Sequence, residues 1–190
     1  VTFVSRILFA MPLLAVFLAG GCAGPGAGLA MLPATASGPY GLGVGDQVHI
    51  ITFGNDQLTG DFRVNDSGKI SLPLIGPTQA ANLTTSQLET SIEGTLKSRG
   101  MLGNPSVSVE VIDYRPFFIL GEVVRPGQYA YQPGMTVLTA VAVGGGFTYR
   151  AVKDRFSIVR QSDGRAVEYS ADRQSFVQPG DVINVYERLF

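Results

Sequence analysis

Phe62-Arg63-Val64-Asn65-Asp66-Ser67-Gly68-Lys69-Ile70-Ser71-Leu72-Pro73-Leu74 holds two short apolar–polar alternations on either side of a turn-forming cluster. Period-two spacing puts successive side chains on opposite faces of a strand, and Asp-Ser-Gly supplies the turn between them. The stretch therefore predicts a β-hairpin, Phe62–Val64 against Ile70–Leu74. Upstream, Leu42-Gly43-Val44-Gly45-Asp46 is a turn leading into Val48–Phe53, a further strand stopped by Gly54-Asn55-Asp56.

Downstream of the hairpin comes one clear helix. Thr84 with Gln87 three residues on forms a capping box, and Leu83 with Leu88 has the spacing of a hydrophobic staple. Leu88, Ile92 and Leu96 recur along one face, and Gly100 offers the stop. Val107, Val109 and Val111 then alternate with Ser108 and Glu110, as a half-buried strand does. Residues 40–113 thus read as a compact strand-hairpin-helix-strand unit.

A second unit follows over 114–190. Phe117–Val123 and Gln128–Tyr131 flank Arg125-Pro126-Gly127 as a hairpin, and Thr136 caps a short helix over Val137–Val143 that Gly144-Gly145-Gly146 ends. Phe156–Arg160 and Ala166–Tyr169 form another hairpin around Ser162-Asp163-Gly164, and Gln178-Pro179-Gly180-Asp181 turns into a last strand, Val182–Tyr186. Hairpin, helix across the sheet, then more strands is the order of a β-grasp domain. The expected class is α+β, in two small domains. The two Gly-Asp turns, Gly45-Asp46 and Gly180-Asp181, echo one another, which shared turn chemistry accounts for without duplication.

The composition agrees. The chain has 190 residues, 45% hydrophobic, only 15% charged, with 24 Gly and 11 Pro, a balance that favours turns and short strands over long helices. Its net charge of −1 gives no general pull toward nucleic acid. Arg150, Lys153 and Arg155 cluster locally and read as a solvated loop before they read as an anion-binding patch.

The beginning of the chain has a different texture. Arg6 precedes an apolar run, Ile7–Leu18, and then Ala19-Gly20-Gly21-Cys22. A basic start, a short apolar core and small residues make a secretory signal, here 1–21, too short for a comfortable membrane span. Small residues directly before a cysteine resemble the lipobox of bacterial lipoproteins, where the cysteine becomes the acylated N-terminus. Ala19 stands where that motif usually has a large aliphatic residue. Cys22 is the expected lipidation site, and the uncharged, Gly-, Ala- and Pro-rich stretch 22–39 the expected flexible tether.

Chemistry has little to work with. His49 and Cys22 are the only residues of their kinds, so no Cys-His or Ser-His arrangement and no metal cluster is expected. Asp46, Asp56, Asp61 and Asp66 could suggest a carboxylate pair for sugar hydrolysis, yet each sits in or beside a turn, where aspartate is favoured for backbone bonding. Neither catalytic, metal nor cofactor-binding residues are expected, and no cofactor.

Tyr40-Gly41-Leu42-Gly43-Val44-Gly45-Asp46-Gln47-Val48, the stretch Phe62–Gly76, Leu83-Thr84 and Asn104-Pro105-Ser106-Val107-Ser108-Val109 together resemble the polysaccharide export domain. Leu120-Gly121-Glu122-Val123, Pro126-Gly127, Thr136-Val137-Leu138 and Gly144-Gly145-Gly146 are similar to the soluble-ligand-binding β-grasp (SLBB) domain. The resemblance implies an outer-membrane lipoprotein facing the periplasm. It also implies a homo-oligomeric ring, octameric in the best-known case, that carries capsular or extracellular polysaccharide. The partners it implies are an inner-membrane polysaccharide copolymerase, the exported polymer, and outer-membrane lipid through Cys22. Longer members add further β-grasp copies and a C-terminal pore helix, and this sequence, ending at Phe190 just after its last strand, resembles a short form without one. Two other functions compete: a monomeric lipoprotein binding a small soluble ligand through its β-grasp domain, and an accessory enzyme of polysaccharide maturation.

Overall fold

The computed structural model describes residues 26, 28–33, 39–162 and 164–188, apart from the side chain of Ser162; the expected signal and Cys22 lie outside these. The fold is α+β, in two units, each with its own hydrophobic core.

In the first unit, β1 (Gln47–Thr52) is flanked by β2 (Gly60–Arg63) and β5 (Val107–Asp113), both antiparallel to it. The alternation read from the sequence is the burial pattern observed: Val48 and Ile50 are buried while Ile51 faces out. The helix α1 (Thr85–Ser98) lies on this sheet through Leu88, Ile92 and Leu96, each at most 1% exposed. Its capping box is formed as expected: Thr84 N–H donates to Gln87 Oε1 at 2.9 Å, and Gln87 N–H to Thr84 Oγ1 at 3.2 Å.

The hairpin expected between Phe62–Val64 and Ile70–Leu74 does not form. β2 pairs with β1, and β3 (Lys69–Leu72) pairs instead with β4 (Gly76–Gln79) as a separate two-stranded sheet. Two turns account for the difference. Asn65 Oδ1 accepts from Ser67 N–H and Lys69 N–H at 3.1 and 2.9 Å, and swings the chain out of the first sheet. Beyond Pro73, Leu74 takes a φ of 66° and Gly76 one of 77°, which reverse the chain into β4. Alternation identified the strands but not their partners.

The second unit follows the expected order. β6 (Phe117–Gly121) and β7 (Gly127–Tyr129) form the first hairpin; α2 (Val137–Val143) crosses; β8 (Ala151–Ser162) and β9 (Arg165–Ala171) form the second; β10 (Val182–Glu187) closes the sheet. The sheet order is β7-β6-β10-β8-β9, with β10 parallel to β6 and antiparallel to β8. This central, parallel last strand is what defines a β-grasp arrangement. Phe117, Ile119, Phe156, Ile158 and Ile183, all 0% exposed, form the core under α2. Gly144–Gly146 ends α2 and also pairs with the first hairpin's turn, Val124 N–H donating to Gly146 O and Arg125 N–H to Gly144 O. Lys153 and Arg155 lie on the exposed start of β8 rather than in a loop, and Arg150 pairs with Glu187.

Part of the expected tether is not free. Leu32 N–H donates to Ser170 O at 2.7 Å and Ser170 N–H to Ala30 O at 2.8 Å, so Ala30–Leu32 runs along β9 as a short parallel addition. Leu32 is 8% exposed and joins the second core. The backbone makes this pairing, so a stretch poor in side-chain signals gives no warning of it.

One end of each of two long sheet edges is therefore occupied. Main-chain bonds from Ala30–Leu32 reach Ser170 near the end of β9. On β5, Val107 N–H and Val109 N–H donate to Glu93 Oε1 and Glu89 Oε1 of α1 at 2.9 and 2.8 Å. At the positions where its outward groups are already bonded, an edge strand is a poor template for pairing with another chain.

Candidate functional site: a polar clasp between the two units

The loop between β5 and β6 carries Tyr114 and Arg115, and these bring the two units together. Asp46, read from the sequence as a turn residue, is 0% exposed. Its carboxylate accepts from Gly43 N–H at 2.7 Å, from Tyr40 Oη at 2.5 Å and from Arg115 N–H at 2.8 Å. The Arg115 guanidinium stands 3.6 Å from the same carboxylate. A buried carboxylate survives without water only when donors surround it, and four groups do so here.

Arg115 reaches the second unit as well. Its Nε donates to Pro179 O at 3.0 Å and its Nη1 to Tyr40 Oη at 3.2 Å, while the guanidinium sits 5.8 Å from the centre of the Tyr40 ring. Around it, Tyr40, Tyr114 and Tyr131 stack edge to face, with centroids 5.2 and 5.4 Å apart. The ladder begins in the first unit and ends in the second. Burial, reinforced by the Tyr40–Asp46 hydrogen bond, pushes the Tyr40 phenol well above its ordinary range. Burial also raises Tyr114, helped by the Asp46 charge, and raises Tyr131.

A second buried pair lies close by in the β-grasp unit. Asp181 is 1% exposed and takes both Nε and Nη2 of Arg160, at 2.9 and 2.7 Å. This two-point geometry fixes the arginine in orientation as well as position.

The other residues singled out by sequence fall apart from one another. His49 Nδ1 meets Asp61 Oδ1 at 2.5 Å on the exposed face of β1 and β2, with side chains 35% and 52% exposed. Asp56 opens a single 3-10 turn, Asp56–Leu58, and Asp66 lies in the turn after β2. Among the described residues, no three His, Cys, Asp or Glu side chains group as metal ligands would. No described helix is long and apolar enough to cross a membrane, which leaves β-barrels untouched. Sequence reasoning missed Tyr40, Arg115, Tyr131, Arg160 and the burial of both aspartates. The repeated Gly-Asp turn was the one available signal.

A family model described as polysaccharide biosynthesis/export protein matches residues 34–112, and a model of the SLBB domain matches residues 116–169. The two domains, in this order, support membership of the polysaccharide export family. Arg115 falls between the two matched regions, at the joint itself. The SLBB sheet extends past its matched region, because β10 is the strand that joins its two hairpins. Over 101 residues the chain is 42% identical to the exopolysaccharide production protein ExoF of Rhizobium meliloti (strain 1021). That match spans 53% of this chain and 24% of ExoF, so the chain covers about a quarter of its relative.

Proposed function

We propose that this chain is a non-enzymatic, lipid-anchored, periplasm-facing subunit of a ring-shaped channel that exports capsular or extracellular polysaccharide. The observation that carries the reading is the ordered pair of export and SLBB domains, locked by Arg115 and Asp46. A subunit of a stacked ring must present its two layers at a fixed angle, and a buried, fully bonded polar joint resists bending where a free linker would not. Acylation of Cys22 would hold the ring at the outer membrane. An inner-membrane copolymerase would supply polymer to the export-domain layer.

Where β5 is capped by Glu89 and Glu93, and β9 by Ala30–Leu32 at Ser170, neighbouring subunits would meet through side-chain surfaces instead of a continuous sheet. The name of ExoF speaks for an extracellular polymer as cargo. The test is the native mass of the lipidated protein extracted in mild detergent, with polymer secretion measured in cells lacking the chain. A discrete homo-oligomer and lost secretion are expected. A monomer from cells whose secretion is unchanged would overturn the proposal.

A further inference from the structure

Beside the clasp, a cleft of about 400 Å³ opens between the two domains, within the range of small-molecule sites. Gly41, Gly43 and Asn82 of the export domain face Gln161 and Gly164 of the SLBB domain across it, with Arg115 between them. Glycine at 43 is required by the clasp itself: a Cβ there would stand 1.4 Å from Arg115 Nη1. Gly41 and Gly164 bring backbone to the lining from opposite sides, with Val44 and Ala81 beside them.

The polar groups in the cleft are unspent. Among the described residues, the exposed carboxamides of Asn82 and Gln161 make no side-chain hydrogen bond, and Arg115, committed through Nε and Nη1, keeps Nη2. Each carboxamide offers both donor and acceptor, and the guanidinium edge offers a further donor. Among the described residues, Arg115 is the one charged residue on the lining, and Asp46 already balances its charge. A phosphate or carboxylate would find no surplus positive charge there. A hydroxyl-rich neutral ring would find complementary donors and acceptors.

We propose that this cleft holds one neutral pyranose unit of the carried polymer, hydrogen-bonded by Asn82 and Gln161 from opposite domains and by Arg115 Nη2. This rests on the export reading and adds a contact point to it. Among the described residues no aromatic ring lines the cleft, so binding is weak, roughly millimolar, as a moving polymer requires. Because its walls belong to two domains, an occupied cleft also braces the joint that Arg115 makes.

The test is saturation-transfer NMR on the full chain in detergent, probed with neutral methyl hexosides (gluco, galacto and manno) and with glucuronate. The comparison protein carries Asn82→Gly and Gln161→Ala; glycine suits the φ of 66° at position 82 and both sites lie outside the clasp. Transfer to at least one hexoside is expected, falling about tenfold in the double variant as two weak hydrogen bonds are lost, with the melting temperature unmoved. Glucuronate should bind no better than the hexosides. Absence of transfer to every hexoside, equal transfer in the variant, or a clear preference for glucuronate would each overturn the assignment. The export reading fails separately, when cells lacking the chain secrete normally.

Discussion

Replacing Asp46 with alanine tests whether the clasp holds the two domains together. The carboxylate receives three hydrogen bonds, at 2.5, 2.7 and 2.8 Å, and lies 3.6 Å from a guanidinium, all at 0% exposure. Each bond to a charged acceptor is worth about 1.5–3 kcal/mol, so simple addition gives roughly 4.5–9 kcal/mol. That sum is an upper bound. Tyr40 and Arg115 are only half-buried and can turn toward water, which brings the loss to about 3–5 kcal/mol, the usual consequence of breaking a buried charged pair. For a chain of this size that is a drop of roughly 10 °C in melting temperature. The control is Asp61→Ala, which removes only the exposed pair with His49 and should change stability by less than about 1 kcal/mol. Calorimetry of the full chain in mild detergent at neutral pH reads both the shift and the coupling. Asp46→Ala should lower the transition and split it in two, one per domain, because the joint no longer transmits stability. If Asp46→Ala and Asp61→Ala melt within a degree of each other in a single transition, the clasp is not what couples the domains.

The tyrosine ladder predicts an alkaline limit. Tyr40, Tyr114 and Tyr131 have folded-state pKa values above the ordinary 10.0, so the native state keeps protons that the unfolded chain gives up. Their contribution is complete below about pH 10 and declines as the pH rises beyond it. Absorbance titration should show these three ionising together with loss of native circular dichroism, and Tyr40→Phe should soften the decline; ionisation of all seven tyrosines with the fold intact would refute this. Gly121, at the end of β6, has a φ of 85°, and a Cβ there would lie 2.1 Å from Val185 O on β10. Gly121→Ala should cost about 3 kcal/mol or more, combining overpacking with a left-handed backbone. Gly134→Ala, at a φ of 81° with open space around it, should cost only about 1 kcal/mol. Equal melting temperatures for the two variants would show that the β6–β10 contact yields.

Much of the fold was legible because it is local. The capping box at Thr84 and Gln87, the apolar stripe of Leu88, Ile92 and Leu96, and the hairpins of the SLBB domain all depend on residues within a few positions of each other. Pairing between distant strands was less so. The alternation in Phe62–Leu74 is real, but a period of two says only that a strand has two faces, and the turn at Asn65 depends on one side-chain oxygen accepting from two amides. Ala30–Leu32 was hidden for another reason: its contacts with Ser170 are main chain to main chain, and only Leu32 enters the core. The clasp was invisible to spacing, since Asp46, Arg115 and Pro179 are brought together from three separate parts of the chain.

The repeated Gly-Asp turn is where the sequence came nearest to that joint. In each copy the aspartate N–H donates to the carbonyl three residues back at 3.1 Å, Gly43 or Gln178, and its carboxylate accepts from that residue's N–H at 2.7 Å. The glycines between have φ values of 96° and 87°. Turn chemistry alone therefore accounts for the likeness. It does not account for where the two turns meet. A Cβ on Gly43 would strike Arg115 Nη1, and one on Gly180 would lie 2.9 Å from Arg115 Nε, so both turns are held open around the same arginine. Asp181 takes its partner, Arg160, from within its own domain, whereas Asp46 takes the backbone and charge of Arg115 from the linker. One turn therefore stiffens a domain and the other stiffens the joint. A flexible link between two binding modules would need neither the buried carboxylate nor the glycines kept clear for Arg115. The proposed export subunit, whose two layers would hold a set angle while polymer moves past them, would need both.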